Sequence, residues 1–461
     1  MFTKQKAQRG QALILIAIGI VGLVGMVALA IDGGNAYKVR RDAQNAADAS
    51  ALTAAVIMVQ TNLGAWSTAQ NQALALATVN GFSNDGITTV TVENPPGVDC
   101  NGDSGPYVGD DEYVQVLINT QIDTFFAQIV GISTLDICTD AVARAKPGEY
   151  GSPFHGAGIV ALKPDGDDAV FFCGNANIQV KKSGLFVNSN GNCAFGMNGN
   201  ITATVDTSFD VVGNSCKVGN VTTNGPFTDG VPVPYPPTDI DIPEPLIECT
   251  GVGQQIGNIV YPGVWNSTLN ASGDVTMAPG NYCLMAGATF NGNTDVEAND
   301  VNIRLQGGEF QTNGNSSFTC SNAVFFVDGG SGFHFNGNGD NNCTNVVFYV
   351  KTGDVTWNGN VANTFTARTD PDDPYYNLLI YMPYENTSQL TINGNSGNHL
   401  KGTILAVHAP IVINGNSGTE TIDSQIIGYT VRACGNGTLK IDYDAGENIE
   451  LPQPPTIELT K

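Results

Sequence analysis

The first pattern along the chain is an uninterrupted apolar run. Residues 12–31 carry no charge over 20 positions. At about 1.5 Å per residue a helix of that length rises about 30 Å, the thickness of a bilayer's hydrocarbon core. A cleaved signal peptide usually has an apolar region of roughly 7–15 residues and a small-residue cleavage site. This run is longer, and Ala28 and Ala30 make a poor site. The pattern predicts a retained transmembrane helix behind a short basic tail, residues 1–11.

After Gly33-Gly34 the pattern predicts a second helix. There Ala43, Ala47, Ala51 and Ala55 recur at every fourth position. Gly19, Gly22 and Gly25 extend the small-residue theme into the apolar run. Small side chains let backbones approach closely. The alanine stripe packs either on the protein's own next domain or on neighbouring subunits of an envelope assembly.

Residues 66–80 read as a helix stopped by Gly81. Alternating strands follow near 86–93 and 112–119, then a short helix near 122–130 and a strand near 134–145. Residues 32–147 therefore form the helix and a small α/β domain, closed by Lys146-Pro147-Gly148. Cys100 and Cys138 pair within it. Asp99, Asp103, Asp110 and Asp111 lie among glycines, but their spacing is not that of an EF-hand. They read as a solvated turn; calcium is the alternative there, without a recognised motif, and no other cofactor motif is present.

From about residue 153 to 446 a different rhythm takes over. An apolar residue followed by Asn-Gly-Asn returns at Asn291-Gly292-Asn293, Asn313-Gly314-Asn315, Asn336-Gly337-Asn338, Asn358-Gly359-Asn360, Asn393-Gly394-Asn395 and Asn414-Gly415-Asn416. Gly435 closes the series, and the glycines are 22, 23, 22, 35, 21 and 20 apart. Gly174, Gly199 and Gly219 continue it less strictly. A period of roughly 20–23 residues is one coil of a parallel β-helix. Coils stack about 4.8 Å apart, so equivalent residues form columns, and about eleven coils make a rod near 55 Å long. Glycine permits the positive φ of a sharp corner. Stacked asparagines pass amide hydrogen bonds from coil to coil, each worth about 1 kcal/mol net. The residues before the corners, Phe290, Phe335, Trp357, Ile392 and Ile413 with Thr312 as the exception, read as one interior column. The fold class is thus mainly β: an N-terminal transmembrane helix, a small α/β domain, and a single-stranded, right-handed parallel β-helix. A proline-rich excursion at 226–246 interrupts the rhythm, and residues 447–461 form a strand-ending tail.

Charge and cysteines sharpen this picture. Net charge is −24. Residues 1–41 hold six of the nineteen basic residues and one acid, leaving 13 basic against 42 acidic residues beyond. Such a surface repels phosphate backbones, so nucleic acid is no partner of the main body. All ten cysteines follow the apolar run, and no CxxC pair occurs. That pattern points to disulfides in an oxidising compartment. Together with the acidic bulk it puts the N-terminus in the cytoplasm and the rest outside, although Lys38, Arg40 and Arg41 follow the span closely. Cys320–Cys343 and Cys173–Cys193 are each about one coil apart, which predicts those pairs.

The N-terminal residues carry a resemblance. Arg9-Gly10-Gln11, the span, Asp32-Gly33-Gly34, Tyr37, Arg40-Arg41 and then Gln44-Asn45-Ala46-Ala47-Asp48-Ala49 through Ala51 and Ala54-Ala55 resemble the N-terminal module of TadE/TadG-like proteins of the tight-adherence (Tad/Flp) pilus assembly system. The match is good over residues 9–80 and looser to about 147. It implies a pseudopilin-like anchor in the cytoplasmic membrane, other pilus assembly proteins as partners, and assembly roles for Asp32, Gly33, Gln44, Asn45, Ala46, Ala47, Asp48, Ala51 and Ala55. Prepilins of the Flp type carry a Glu five residues after a Gly; here Leu15 stands in that place after Gly10. No prepilin cleavage is expected, as befits a permanently anchored accessory protein.

Catalytic motifs are missing. His155, His334, His399 and His408 fall in no metal or nucleophile signature, and neither GxSxG, a P-loop nor a dinucleotide fingerprint occurs. His334, on an alternating strand, faces solvent. The best carboxylate cluster, Asp370, Asp372 and Asp373 beside Arg368, sits in the 35-residue unit and reads as a solvated turn. The leading expectation is a non-enzymatic protein presenting a β-helix for surface adhesion or assembly contacts. The alternative is an anchored β-helix that cleaves polysaccharide at that cluster, or binds surface glycans through aromatics such as Trp265 or Tyr384.

Overall fold

In the computed structural model residues 9–148, 150–237, 240–358, 363–394, 398–415, 419–423, 425–452 and 455–460 are described. The chain divides into two compact units, 1–149 with 453–461, and 150–452.

In the first unit, α1 (Arg9–Gln60) is one helix of 52 residues. The break expected after Gly33-Gly34 does not occur. Two glycines weaken a helix by about 1 kcal/mol each, but no proline removes a hydrogen bond here, and packing beyond the pair outweighs that cost. Its large apolar side chains from Ile14 to Ile31 are exposed, and the helix is long and apolar enough to cross a membrane. Farther on, the face set by Ala43, Ala46, Ala47, Ser50, Ala51, Ala54 and Ala55 is fully buried. It joins a core with Ala69, Ala73 and Ala77 of α2 (Trp66–Val79) and Val114, Val116, Ala141 and Ala143 of the sheet. Methyl groups alone let helix and sheet approach this closely. The alanine stripe therefore packs on the protein's own domain.

That sheet is antiparallel: β1 (Thr88–Glu93), β2 (Tyr113–Asp123) and β3 (Thr134–Lys146) in sequence order. Beyond β3 it gains Thr456–Leu459 from the C-terminus. The expected tail is in part a strand of this sheet. Cys100 is bonded to Cys138.

The second unit is a parallel β-solenoid of about 12 turns. Three faces run along it. Typical strands at one level are Phe318–Ser321 for the first face, Val324–Val327 for the second and Gly332–Phe335 for the third, and each pairs in register one coil on, at 341–344, 347–350 and 354–357. The predicted interior column exists: Phe290, Thr312, Phe335, Trp357, Ile392 and Ile413 follow one another in register, all buried. Around them Phe310, Phe318, Phe325, Phe333, Phe348 and Phe365 interlock with centroids 4.7–6.1 Å apart.

Stacking order departs from chain order. The coil containing Ile426–Gly435 pairs not with nothing beyond it but with Ile159–Ala161 and Val170–Gly174, and Thr438–Asp442 pairs with Asn177–Lys181. From that splice the first-made coils, 159–229, continue the stack outward to Phe227–Asp229. Residues 259–442 build it from the opposite end. The predicted Cys173–Cys193 bond is accordingly wrong. Cys173 faces Cys434 across the splice and is bonded to it, 261 residues away in sequence. One coil after Cys173 comes Asn198, whereas Cys193 sits in the preceding corner and pairs with Cys216. Cys320–Cys343 and Cys249–Cys283 complete five bridges.

Joining the far ends is the work of the proline-rich segment, which descends along the second face. Asn188 exchanges hydrogen bonds with Val233, the Tyr375 hydroxyl donates to the Pro243 carbonyl, Lys351 pairs with Glu244, Arg304 donates to the Ile247 carbonyl and Asn281 to the Glu248 carbonyl. Cys249–Cys283 ends the descent. Strands of this face are buried on both sides, as at Leu378–Met382, and read as continuous apolar runs.

Candidate functional site: the open faces of the solenoid

With the second face covered by this strap, the first and third faces carry the side chains that a partner can meet. Strand alternation sends every second residue outward. On the first face the outward column runs in register through Thr276, Glu297, Thr319, Asn342, Thr364, His399 and Thr421. It continues across the splice through Lys440, Gln179 and Thr204. All are exposed or half-buried. Positions about 4.8 Å apart along a regular sheet thus carry mostly hydroxyl and amide groups, interrupted by Glu297, His399 and Lys440. Sequence reasoning centred on corners missed this column, although period-two alternation within each strand carried the signal.

The corners bordering the third face carry amide ladders. Asn313 donates to Asn291 at 3.1 Å, Asn358 to Asn336 at 2.9 Å and Asn414 to Asn393 at 2.8 Å. In the parallel column Asn315 donates to Asn293 at 3.1 Å and Asn338 to Asn315 at 3.4 Å. Between the columns the glycines lie against each other: a Cβ on Gly337 would meet the Gly314 carbonyl oxygen at 2.3 Å. Gly394 and Gly415 continue the column in register. Gly359, Asn360, Asn395 and Asn416 lie outside the described residues. At the splice Cys434 and Cys173 take the place of the first asparagine column, while Asn175 donates to Asn436 in the second at 3.0 Å.

On the third face His334 is half-buried between Glu309 (2.8 Å) and Asp354 (2.9 Å), a short ladder of alternating charge capacity. Trp357 lies wholly in the core, and Trp265 is half-buried against it. Tyr384 stacks on His408 at 4.5 Å within a cluster that takes in Tyr235 of the strap and Tyr429. The Asp370–Asp373 cluster is occupied with its own turn. Asp373 pairs with Arg368 at 2.6 Å and caps Tyr375, and Asp370 caps Asp372. Asp99 likewise caps Asn101 and Asp103. Among the described residues no group of three or more His, Cys, Asp or Glu side chains is arranged to hold a metal ion.

In the first unit the motif residues have structural duties. Asp32, buried, accepts three backbone N–H groups, from Phe125 (2.8 Å), Phe126 (3.0 Å) and Ala127 (2.7 Å). Gln44 bridges Asp48 and the Asp140 carbonyl of β3. Gly33 and Asn45 are exposed.

Comparison with known proteins adds two matches. Residues 10–60 match the Flp pilus-assembly TadE/G-like family, and residues 165–441 match the ice-binding-like adhesive domain family. A crystal structure of the competence-associated pilin ComZ from Thermus thermophilus aligns over 82% of this chain and 88% of that one. Identity is 11% and the TM-score 0.24, too slight a likeness to support any inference. No curated protein matches the chain.

Proposed function

Since the chain belongs to the ice-binding-like adhesive domain family, we propose that it is a membrane-anchored accessory protein of a Tad/Flp-type pilus system that presents its solenoid for adhesion. The observation that carries this reading is the pairing, on one chain, of a TadE/G-like helix with an adhesive solenoid. The apolar half of α1 holds the protein in the cytoplasmic membrane, its N-terminus inside and both units outside. Other assembly proteins and a surface, glycan or inert, are the partners. No chemistry is required of the faces: a column of evenly spaced polar groups, mostly hydroxyls and amides, gains affinity by repetition.

Deleting the gene is expected to impair surface attachment or piliation. Complementation with a chain carrying Thr319→Lys and Thr364→Lys is expected to restore piliation and leave attachment defective. Wild-type behaviour of the deletion strain in both assays refutes the proposal. The return of Thr on alternate coils, at 276, 319, 364 and 421, favours a second reading, adhesion to ice, for which the same double variant should lose inhibition of ice recrystallisation by the purified protein.

A further inference from the structure

The reading of α1 as a membrane anchor leaves one surface of the first unit unexplained. The turn between β2 and β3, residues 124–133, contains no charged residue. Thr124 closes it through hydrogen bonds to Ile132 and Ser133, and Gly131 ends its single helical turn in the left-handed region. Single apolar side chains are common on surfaces, but several on one uncharged turn make a patch. Here Phe125 is 62% exposed, Ile129 80% and Ile132 48%.

The position of the turn is fixed by two ties to α1. Asp32 holds the backbone at Phe125, Phe126 and Ala127, and Gln44 holds the Asp140 carbonyl. From Asp32 to Gln44 the helix rises about 18 Å. From Thr134 to Asp140 the strand advances about 20 Å. β3 therefore runs alongside α1 away from the span, and the turn is the end of the sheet that faces it. Its exposed side chains lie at the level where the exposed apolar surface of Ile14 to Ile31 stops.

We propose that this turn is a second membrane contact: Phe125, Ile129 and Ile132 enter the interfacial layer of the bilayer that α1 crosses. The occupant is lipid, because the patch is continuous in level with a surface that lipid already covers and carries no charge to select a protein partner. Asp32 then has a specific duty. Its carboxylate satisfies three N–H groups that would otherwise face a medium poor in hydrogen-bond acceptors. One helix alone leaves a domain free to tilt and spin; a second contact fixes how the first unit stands on the membrane.

The test uses the full chain in vesicles of phosphatidylcholine and phosphatidylglycerol brominated near the glycerol end of the acyl chain. All ten native cysteines are in disulfides, so single cysteines can be labelled with bimane. Ile129→Cys reports the turn, Leu23→Cys the span, and Ser67→Cys, at the start of α2, the distal end. Bromolipid quenching at Ile129 is expected to exceed that at Ser67 by about threefold or more, with Ile132→Cys repeating the result should Ile129→Cys not fold. Quenching at Leu23 but not at Ile129 overturns the second contact and leaves the anchor standing. A blue-shifted but unquenched label at Ile129 means a protein partner and also overturns it. Absence of quenching at both sites overturns the anchor itself.

Discussion

Replacing Cys173 and Cys434 with serine tests the spliced topology directly. In the loop-entropy description a bridge stabilises by shortening the unfolded chain's freedom, and the effect grows with the length of the closed loop. The Cys173–Cys434 loop spans 261 residues and contains three shorter bridges, of which Cys193–Cys216 spans 23. Allowing for those nested bridges, the long closure is worth about 5 kcal/mol and the short one about 3.4 kcal/mol. The two cystines are otherwise comparable, since each joins neighbouring coils at an exposed or half-buried corner. Guanidinium unfolding of the detergent-solubilised, non-reduced protein should therefore show a larger loss for Cys173→Ser/Cys434→Ser than for Cys193→Ser/Cys216→Ser. Amide exchange adds a local signature. With the long bridge gone, protection should fall first at 170–174 and 430–435, where the two chain segments meet. Equal losses for the two pairs, with unchanged exchange at the junction, would refute a splice dependent on this bond.

Three further expectations can be checked together. Gly337→Ala places a methyl 2.3 Å from the Gly314 carbonyl at a φ of +108° and should cost about 2–4 kcal/mol, whereas Gly292→Ala, with nothing within 4 Å, should cost only the backbone strain of about 1 kcal/mol; thermal unfolding of the two variants compares them. Burial pushes the Tyr375 hydroxyl, and that of Tyr381, up to about 12. The folded state thus holds these protons more tightly, stability is unaffected below about pH 10, and it falls as pH rises through 10 to 12. Tyrosinate absorbance should lag accordingly, and the strap should become protease-sensitive as the Tyr375 bond to Pro243 is lost. Asp32→Ala should abolish amide protection at Phe125, Phe126 and Ala127 while leaving β3 protected; unchanged exchange there would contradict the capping role.

The rod was legible because its signal is local and repeated. Each corner announces itself within three residues, and the apolar residue before it names the inner column. The Cys320–Cys343 bond follows from the same spacing. Continuity of α1 was not legible, because Gly33-Gly34 is a helix-weakening pair whose cost is offset by alanines a full turn and more away. Nor was the splice. Nothing local distinguishes a Cys that meets the next coil from one that meets a coil made 261 residues later. The strap was visible as a break in rhythm, but its lodging on the second face depends on side chains from many coils, such as Tyr349, Tyr381 and Leu405, that are close only after stacking.

The splice also dictates an order of events. Residues 159–229 supply coils whose inner edge, Ile159–Ala161, Val170–Gly174 and Asn177–Lys181, is covered only by the last coil made, residues 426–442. Until then that edge is an open row of backbone donors and acceptors, the arrangement that invites pairing with other chains. Residues 259–442 meet no such delay, since each coil stacks on the one made just before it. Contacts of such long sequence separation are late and slow. A device that holds the early coils near the place where the last one will arrive is therefore valuable, and the strap supplies it. Asn188 takes hold of Val233 within one short stretch of chain, and the segment beyond is then laid along the face on which the later coils grow. Weakening that grip with Asn188→Ala should slow refolding more than it speeds unfolding, because the contact precedes the splice. An effect confined to the unfolding rate would mean that the strap settles only after the solenoid has closed.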